Sequence, residues 1–585
     1  MTDREEKLVQ ERRKQFDQSF NFDRAKYHED WLRLYRLYLG KFAEAVKVRG
    51  RSNVWIPMSW AVGEVDAASD MILWFSSKYF AELFPQDQES VELVDLAEPA
   101  LDVFMKRARI FFAIANARKI ANITGSAGIM PSYKTVTREM EISSPMDVFG
   151  KKVRINERHK VEKSVYEGLE FQVYEPWNFG CWPVTATCVE DADFIWAQDY
   201  ITPRYYLEKV KEEQYKEFDV SLLKGSAESF TNLNVRKLNA LGHPTPEEMK
   251  EMIRRVVFIW DDRTEVILGD QWLTMEQQNP LERKGFVVGR KGFHPNSFRA
   301  EGILKPQERI QYAVNTIVNQ IINWGNIANN PPIFHKNSLD PDLIRFEHGI
   351  KIGVPNPTMD VYIPQIQGLG AENFNLIGLL KQMAQEGTGV TDLRMGIMNQ
   401  PIQATIGSLI SSKSDIRSRF DSQFWEEDCN VPLTNICIEL LRKFLPDDRF
   451  QVQVGRDEFY EVDKAVFYAR CQPYFGGSQQ AMDARVRLQQ FLETFKLFSV
   501  FNFLDAPSVF RVVAKQFPDI VPDPELLIKQ PDMVEQLTQM AGQSQATQTP
   551  PQKQKRIGMA QNPSDLMNRV SAMQRPQVGT AGGGI

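Results

Sequence analysis

Residues 310 to 334 read IQYAVNTIVNQIINWGNIANNPPIF, from Ile310 to Phe334. The stretch holds no Asp, Glu, Lys or Arg, yet it is full of Asn and Gln. Ile310, Val314, Ile317, Val318, Ile321 and Ile322 recur at 3.6-residue spacing, which predicts a helix with one apolar stripe. From 310 to 328 that helix spans roughly 28 Å at about 1.5 Å per residue. The opposite face carries Gln311, Asn315, Asn319, Asn323 and Asn326, so it is polar without being charged. Pro331 and Pro332 end it.

Beyond the prolines, IFHKN, LIRFEHGIKIGV and DVYIPQI predict the short strands of a compact β excursion. A second helix follows, with Phe374, Ile377, Leu380 and Met383 or Ala384 on one face. If the two helices pack antiparallel, the β module lies at the far tip of a hairpin. Next come the Gly-rich, poorly periodic GTGVTDLRMGIMNQPIQATIG and a long helical stretch from about Ser408 to Phe444, with a kink expected at Pro432. RFQVQVG and KAVFYARCQPYF are strand-like. SQQAMDARVRLQQFLETFKLFSVFNFL opens a helical region ending near Ala541. The remaining 44 or so residues, rich in Gln, Pro, Ala and Gly, have the composition of a disordered tail, apart from SDLMNRVSAM with its Ser564 cap.

On the N-terminal side, the first 130 residues are mostly helical. One amphipathic segment surrounds Trp31, Leu34, Tyr35 and Tyr38, and another spans DLAEPALDVFMKRARIFFAIANARKIA. Between them the apolar MILWFSSKYFAELFP suits core packing or a subunit contact. From about Tyr133 to Arg299 the pattern turns to short alternating runs such as LEFQVYEPWNFGCWP, RRVVFIWDD and RKGFVVGRKGFHP, a β-rich domain with helical insertions such as TPRYYLEKVKEEQYKEF.

A chain of 585 residues is too long for one core. Its net charge of −6 argues against a protein that grips nucleic acid through a basic face, because such binding relies on clustered Lys and Arg. Cys181, Cys188, Cys429, Cys437 and Cys471 are odd in number and lack CxxC spacing, which fits reduced thiols in a cytosolic setting. The charged start MTDREEKLVQERRKQF is no signal peptide, and no apolar run approaches the roughly 18 residues of a membrane span. Assembly in the cytoplasm is expected.

Enzymatic chemistry finds no foothold. There is no GxxxxGK[ST] phosphate loop, and GLG at 368–370 and GTG at 387–389 lack the strand, turn and helix of a dinucleotide site. The six histidines are scattered, with no HExxH, and no GxSxG elbow occurs. The paired carboxylates Asp261 and Asp262, or Asp447 and Asp448, lie in turn-like contexts that solvation or capping explains. No catalytic residue, cofactor or metal site is expected.

Three stretches, taken in order, resemble the portal proteins of tailed bacteriophages, particularly short-tailed ones. They are VYEPWNFGCWPVTATCVEDADFIWAQDYITPRYYLEK, FRAEGILKPQERIQYAVNTIVNQIINWGNIANNPPIF and GSQQAMDARVRLQQFLETFKLFS, and the resemblance covers roughly residues 30–540. It implies an α+β, mainly helical portal fold. In that fold residues 1–303 are a wing, 304–329 a first stem helix, 330–367 a β clip and 368–386 a second stem helix. Residues 387–407 would be a channel loop, 408–472 the long kinked helix and return to the wing, 473–541 a helical crown and 542–585 the tail. Portals that extend the crown into a long barrel need sustained heptads, and none follows Gly542.

The same resemblance implies a ring, usually of twelve copies, at one capsid vertex. Double-stranded DNA is packaged and ejected through it, the terminase large subunit and then a tail adaptor dock on it, and the major capsid and scaffolding proteins surround it. It also implies a possible seeding role in capsid assembly and no membrane. In such a ring a charged stem face would bring like charges together in every copy, whereas the amides of Asn315, Asn319, Asn323 and Asn326 bond neighbours or water without charge. Twelve copies would carry about −70, which suits a conduit that does not hold DNA. Arg394, Asn399, Gln400, Gln403, Lys413 and Arg417 are the expected channel residues. For Lys413 and Arg417, phosphate contact and intersubunit pairing with the interleaved Asp392, Asp415 and Asp421 both stand open. His335, Lys336, Asp340, Asp342, Arg345, Glu347 and Lys351 are expected on the clip, either as a motor and adaptor surface or as a solvated rim. The rival readings are another neck or tail-tube ring and a soluble multidomain enzyme.

Overall fold

The structure is a computed structural model. It describes residues 2–40, 52–148, 151–223, 252–329 apart from Glu282 and Phe293, 334–335, 356, 361–362, 371–390, 416–446, 450–453 and 459–475. All of these lie in the first of two compact units, Met1–Asp483; the second is Ala484–Ile585. The chain is α+β, with helices and several antiparallel sheets.

The N-terminal helices are α1, Asp3–Asp23, and α2, Glu29–Tyr38, joined without a break by the π turn Arg24–His28. Thr2 starts α1 with a reciprocal capping box to Glu5, which satisfies two otherwise orphaned backbone donors. The apolar face expected on α2 is buried: Trp31, Leu34 and Tyr35 pack with Trp177, Ile303 and Leu304. Helix α3, Met58–Trp74, is followed by β1, Glu82–Pro85, so the apolar run ending at Pro85 divides between a helix and a strand. The segment from Asp95 to Ala121, which the sequence presents as one amphipathic helix, is two: α4, Val91–Arg107, and α5, Ile110–Thr124. The break is at Arg109, held in the left-handed region at φ 57° with neither Gly nor Pro to announce it.

The β-rich region contains one feature that short alternating runs do not suggest. Strands β2, Ser126–Val148, and β3, Lys151–Tyr174, pair antiparallel from Gly128 opposite Tyr174 to Val148 opposite Lys151, with two shifts of register on the way. At about 3.3 Å per residue the ribbon reaches roughly 75 Å. A third strand, β9 (Val287–Arg290), joins only its base, at Ser126–Ile129. Strands β4 (Phe179–Trp182), β5 (Phe194–Ile201), β6 (Ile253–Ile259), β7 (Arg263–Leu268) and β8 (Trp272–Gln278) form a five-stranded antiparallel sheet in that order. Between β5 and β6 lie α6, Pro203–Lys211, capped by Thr202, and the short α7, Val220–Leu223. Asp261, in the β6–β7 turn, accepts from the Lys284 backbone at 3.1 Å and ammonium at 2.9 Å. That is a structural role for one of the paired carboxylates.

Helix α8 runs Leu304–Asn329 and α9 Ala371–Thr388. Between them β10, Phe334–His335, pairs antiparallel with β11, Val361–Tyr362, bringing together the two ends of the intervening segment. After α9 come α10, Ile416–Trp425, a π turn Glu426–Asn430 and α11, Val431–Phe444. In an unbroken α-helix the ring of Pro432 would meet the carbonyl of residue 428; here the chain widens into a π turn just before it. The remaining strands are β12, Phe450–Gln453, β13, Phe459–Val462, and β14, Cys471–Tyr474, which pairs with β1. KAVFYARCQPYF is therefore a 3-10 turn at Lys464–Tyr468 followed by a strand.

Candidate functional site: the uncharged helix and its root

The amide face of α8 is occupied within the subunit. Residues 52–59 run along it, and their backbone N–H groups donate to successive amide oxygens. Ser59 donates to Gln311 Oε1 at 3.0 Å, Ile56 to Asn315 Oδ1 at 3.1 Å, Val54 to Asn319 Oδ1 at 2.7 Å and Ser52 to Asn323 Oδ1 at 2.6 Å. Four residues of helix rise about 6 Å, and two residues of extended chain advance about 6.6 Å, so the amides of Asn315, Asn319 and Asn323 stay in step with the alternate residues Ile56, Val54 and Ser52 of this strap, while Gln311 takes Ser59, in the first turn of α3, three residues on.

The ladder bonds in both directions. Asn319 Nδ2 donates to the Val54 carbonyl at 2.9 Å and Gln311 Nε2 to that of Ile56 at 2.6 Å. A carboxylate accepts but cannot donate, and an ammonium donates but cannot accept; the amides of Asn and Gln carry a carbonyl acceptor and an NH2 donor side by side on one uncharged group, so one side chain serves both the N–H and the C=O of the strap. Residue chemistry at these positions is thus set by a backbone partner some 260 positions away. Asn315 is 2% exposed. Within the subunit, Asn315, Asn319 and Asn323, expected on the polar face of the stem, all bond the strap. Asn326 stays exposed. The strap is tied down at Trp55, which meets Tyr312 edge-on at 6.4 Å and covers Gly40, where any Cβ would come within 2.9 Å of the indole.

The root of α8 is built from charge. Arg33 of α2 pairs with Glu308, and nearby five ionisable groups from four separate stretches converge. Arg118, fully buried, donates Nε to Asp70 at 2.7 Å and also pairs with Asp421; Lys291 reaches Asp66 at 2.6 Å and Asp421 as well. Ser422 donates to Asp70. Burial opposes ionisation of Asp421, but Arg118 and Lys291 outweigh it and hold the carboxyl down at about 2. Asp66 is lowered in the same way, against its burial. For Asp70 burial wins over Arg118 and the pKa rises. The three carboxylates could group around a metal, but two cations, Arg118 and Lys291, already pair with them. The sequence hints at this cluster only by placing Asp66, Asp70 and Arg118 inside otherwise apolar helices.

Next to the cluster the aromatic ends of α3 and α10 stack, Trp74 on Trp425 at 6.0 Å, with the Arg118 guanidinium over both. Asp428 of the π turn accepts from the Arg290 backbone at 3.2 Å and from Nε at 2.9 Å. An open cavity of about 500 Å³ lies at this root, bounded by Lys305, Gly389, Arg417, Phe420 and Asp421. Arg417, exposed, donates Nη1 to the Glu386 carbonyl at 3.2 Å, which brings the two ends of residues 391–415 together.

Of the other expected channel residues, Arg394, Asn399, Gln400, Gln403 and Lys413 lie outside the described residues. On the expected clip, His335 is placed by its backbone in β10, and Lys336, Asp340, Asp342, Arg345, Glu347 and Lys351 lie outside the described residues. The cysteines Cys181, Cys429 and Cys437 are buried and free, and burial pushes the Cys181 thiol up to about 12. No helix among the described residues is long and apolar enough to cross a membrane.

No curated protein matches the chain. A family model does: the one described as Phage SU10 portal protein matches residues 131–565, about three quarters of the length and the whole order of helix, paired strands, helix and π-turned helix set out above. The chain belongs to this portal protein family of short-tailed bacteriophages, whose members are structural rather than catalytic.

Proposed function

We propose that this chain is the repeating subunit of a ring at one vertex of the capsid, through which double-stranded DNA is packaged and later ejected. The observation that carries the reading is the family match spanning residues 131–565. In this account α8 and α9 are the stem, residues 330–367 the clip that docks the terminase large subunit and then the tail adaptor, and 387–407 the channel loop. Residues 1–303 form the wing, against the major capsid and scaffolding proteins, 408–472 are the long kinked helix and the return to the wing, and the ring seeds capsid assembly. The crown is 473–541. The contact between Arg417 and Glu386 supports a loop whose two ends are clamped together at the foot of the stem. Arg394, Lys413 and Arg417, with Asn399, Gln400 and Gln403, face the passing DNA. The strap on α8 lets a stem helix be polar without offering cations to phosphates.

The test is packaging into capsids assembled with the full chain, comparing wild type with Arg394→Glu combined with Lys413→Glu. Intact capsids with a clear loss of packaged DNA are expected. Unchanged packaging would remove these residues from the channel, and packaging by capsids lacking the chain would overturn the function.

A further inference from the structure

Helix α4 ends in opposite charges, and each end lies beside exposed apolar side chains. At the N-terminal end Glu89, Glu92 and Asp95 are exposed and form no ion pair among the described residues. Asp87 beside them is engaged by the Ser90 backbone at 2.8 Å and faces Arg470. Phe84 and Val91 stand at this end, 51% and 44% exposed.

At the other end Arg107 and Arg109 are exposed and likewise form no ion pair among the described residues. They rim an open groove of about 560 Å³ whose apolar wall includes Phe112, Tyr166, Leu169 and Val173. Phe112 is 67% exposed. Lys134 at the same rim is bonded to Glu170 at 2.6 Å, so the two arginines supply the groove's unpaired positive charge. The 17 residues of α4 hold the two ends about 25 Å apart. Acids at a helix N-terminus and bases at its C-terminus suit the helix dipole, which accounts for the signs but not for the exposed Phe84, Val91 and Phe112.

We propose that these two ends dock on each other between neighbouring copies of this chain. The acidic end of one copy, with Phe84 and Val91, enters the groove rimmed by Arg107 and Arg109 of the next. The occupant is a second copy because the patch that complements the groove in charge and polarity is on the same chain. A contact between two different faces repeats in one direction and closes into a ring when the rotation allows. The inference rests on the ring reading above and specifies which surfaces make it.

The test uses two full-length variants, Arg107→Glu with Arg109→Glu, and Glu89→Lys with Glu92→Lys, each checked for native secondary structure and melting. Alone, each opposes like charge to like and should run as a monomer at concentrations where the wild type is a ring. Mixed in equal amounts, every contact becomes complementary again, and rings containing both variants should form. If folded variants form rings alone as readily as the wild type, or the folded mixture stays monomeric, the docking is wrong while the ring stands. If an acidic partner protein binds at the arginines while both variants still form rings, the groove has another occupant and the inference is overturned. A wild type that forms no ring at any salt concentration would overturn the reading on which this one rests.

Discussion

Replacing Asn319 by Ala removes one of the two inner rungs of the ladder. Val54 N–H loses its acceptor at 2.7 Å, the Val54 carbonyl loses its donor at 2.9 Å and the Ser52 hydroxyl loses a contact at 3.0 Å. Each such bond contributes about 1 kcal/mol net. Val54 is 43% exposed, so water recovers part of the loss, leaving about 2 kcal/mol less free energy for opening the strap locally. That corresponds to roughly thirtyfold faster amide exchange. Hydrogen exchange followed by mass spectrometry on peptides covering 52–59 reads it directly, with the helices α4 and α5 as an internal control. Asn319→Asp should loosen the strap as well, because it keeps the acceptor but sets a carboxylate against the Val54 and Asn315 carbonyls. Its effect should fade at acid pH, when the carboxyl regains a proton. Unchanged exchange at Val54 in the alanine variant, or equal acceleration at every amide, would refute the ladder as what holds the strap.

Other outcomes follow from the buried charges and the strained turn. Burial, with Arg299 and Arg24 nearby, lowers the folded pKa of His28 from 6.5 to about 3. The unfolded chain therefore binds a proton that the folded chain does not, and stability falls as pH drops below 6.5, by up to about 1.4 kcal/mol per unit. His28→Phe should flatten urea midpoints measured between pH 7 and 5; an unchanged slope would count against it. Arg118→Met leaves three carboxylates facing one lysine and should destabilise by about 3 kcal/mol or more in urea titration; a change below 1 kcal/mol would show that the cluster is not charge-coupled. Asp421→Asn should cost more than Asp70→Asn, since the fold favours the ionised form of the first and disfavours that of the second. Arg109→Gly, at φ 57°, should hold or raise the melting temperature of the folded chain, whereas Arg109→Val should lower it by several degrees.

Local pattern in the sequence was enough for the elements and not for their partners. The apolar period from Ile310 to Ile322, with Pro331 and Pro332 beyond, specifies α8, and the prolyl clash at Pro432 marks the place where the last long helix departs from α geometry. Thr202 capping α6 and the aromatic runs of β5 and β6 are equally local signals. The purpose of the amide face was hidden because its partner, Ser52 to Ser59, carries no side-chain signature: the ladder binds mostly backbone. The root cluster was hidden for the same reason of distance, since Asp66, Arg118, Lys291 and Asp421 meet only after folding. The break at Arg109 was illegible because an arginine occupies a conformation that sequence reading expects of Gly or Asn. Opposed charges at the ends of α4 are plain in the sequence, but the groove beside Arg107 requires the base of the β2–β3 ribbon to be in place.

The central claim is that this chain works as a ring, and the mass of the full-length protein in solution tests it most directly. Native mass spectrometry, with electron micrographs of the same sample, should show particles near twelve times 67.4 kDa, each with a central hole. A compact monomer or dimer at every salt concentration would contradict the account.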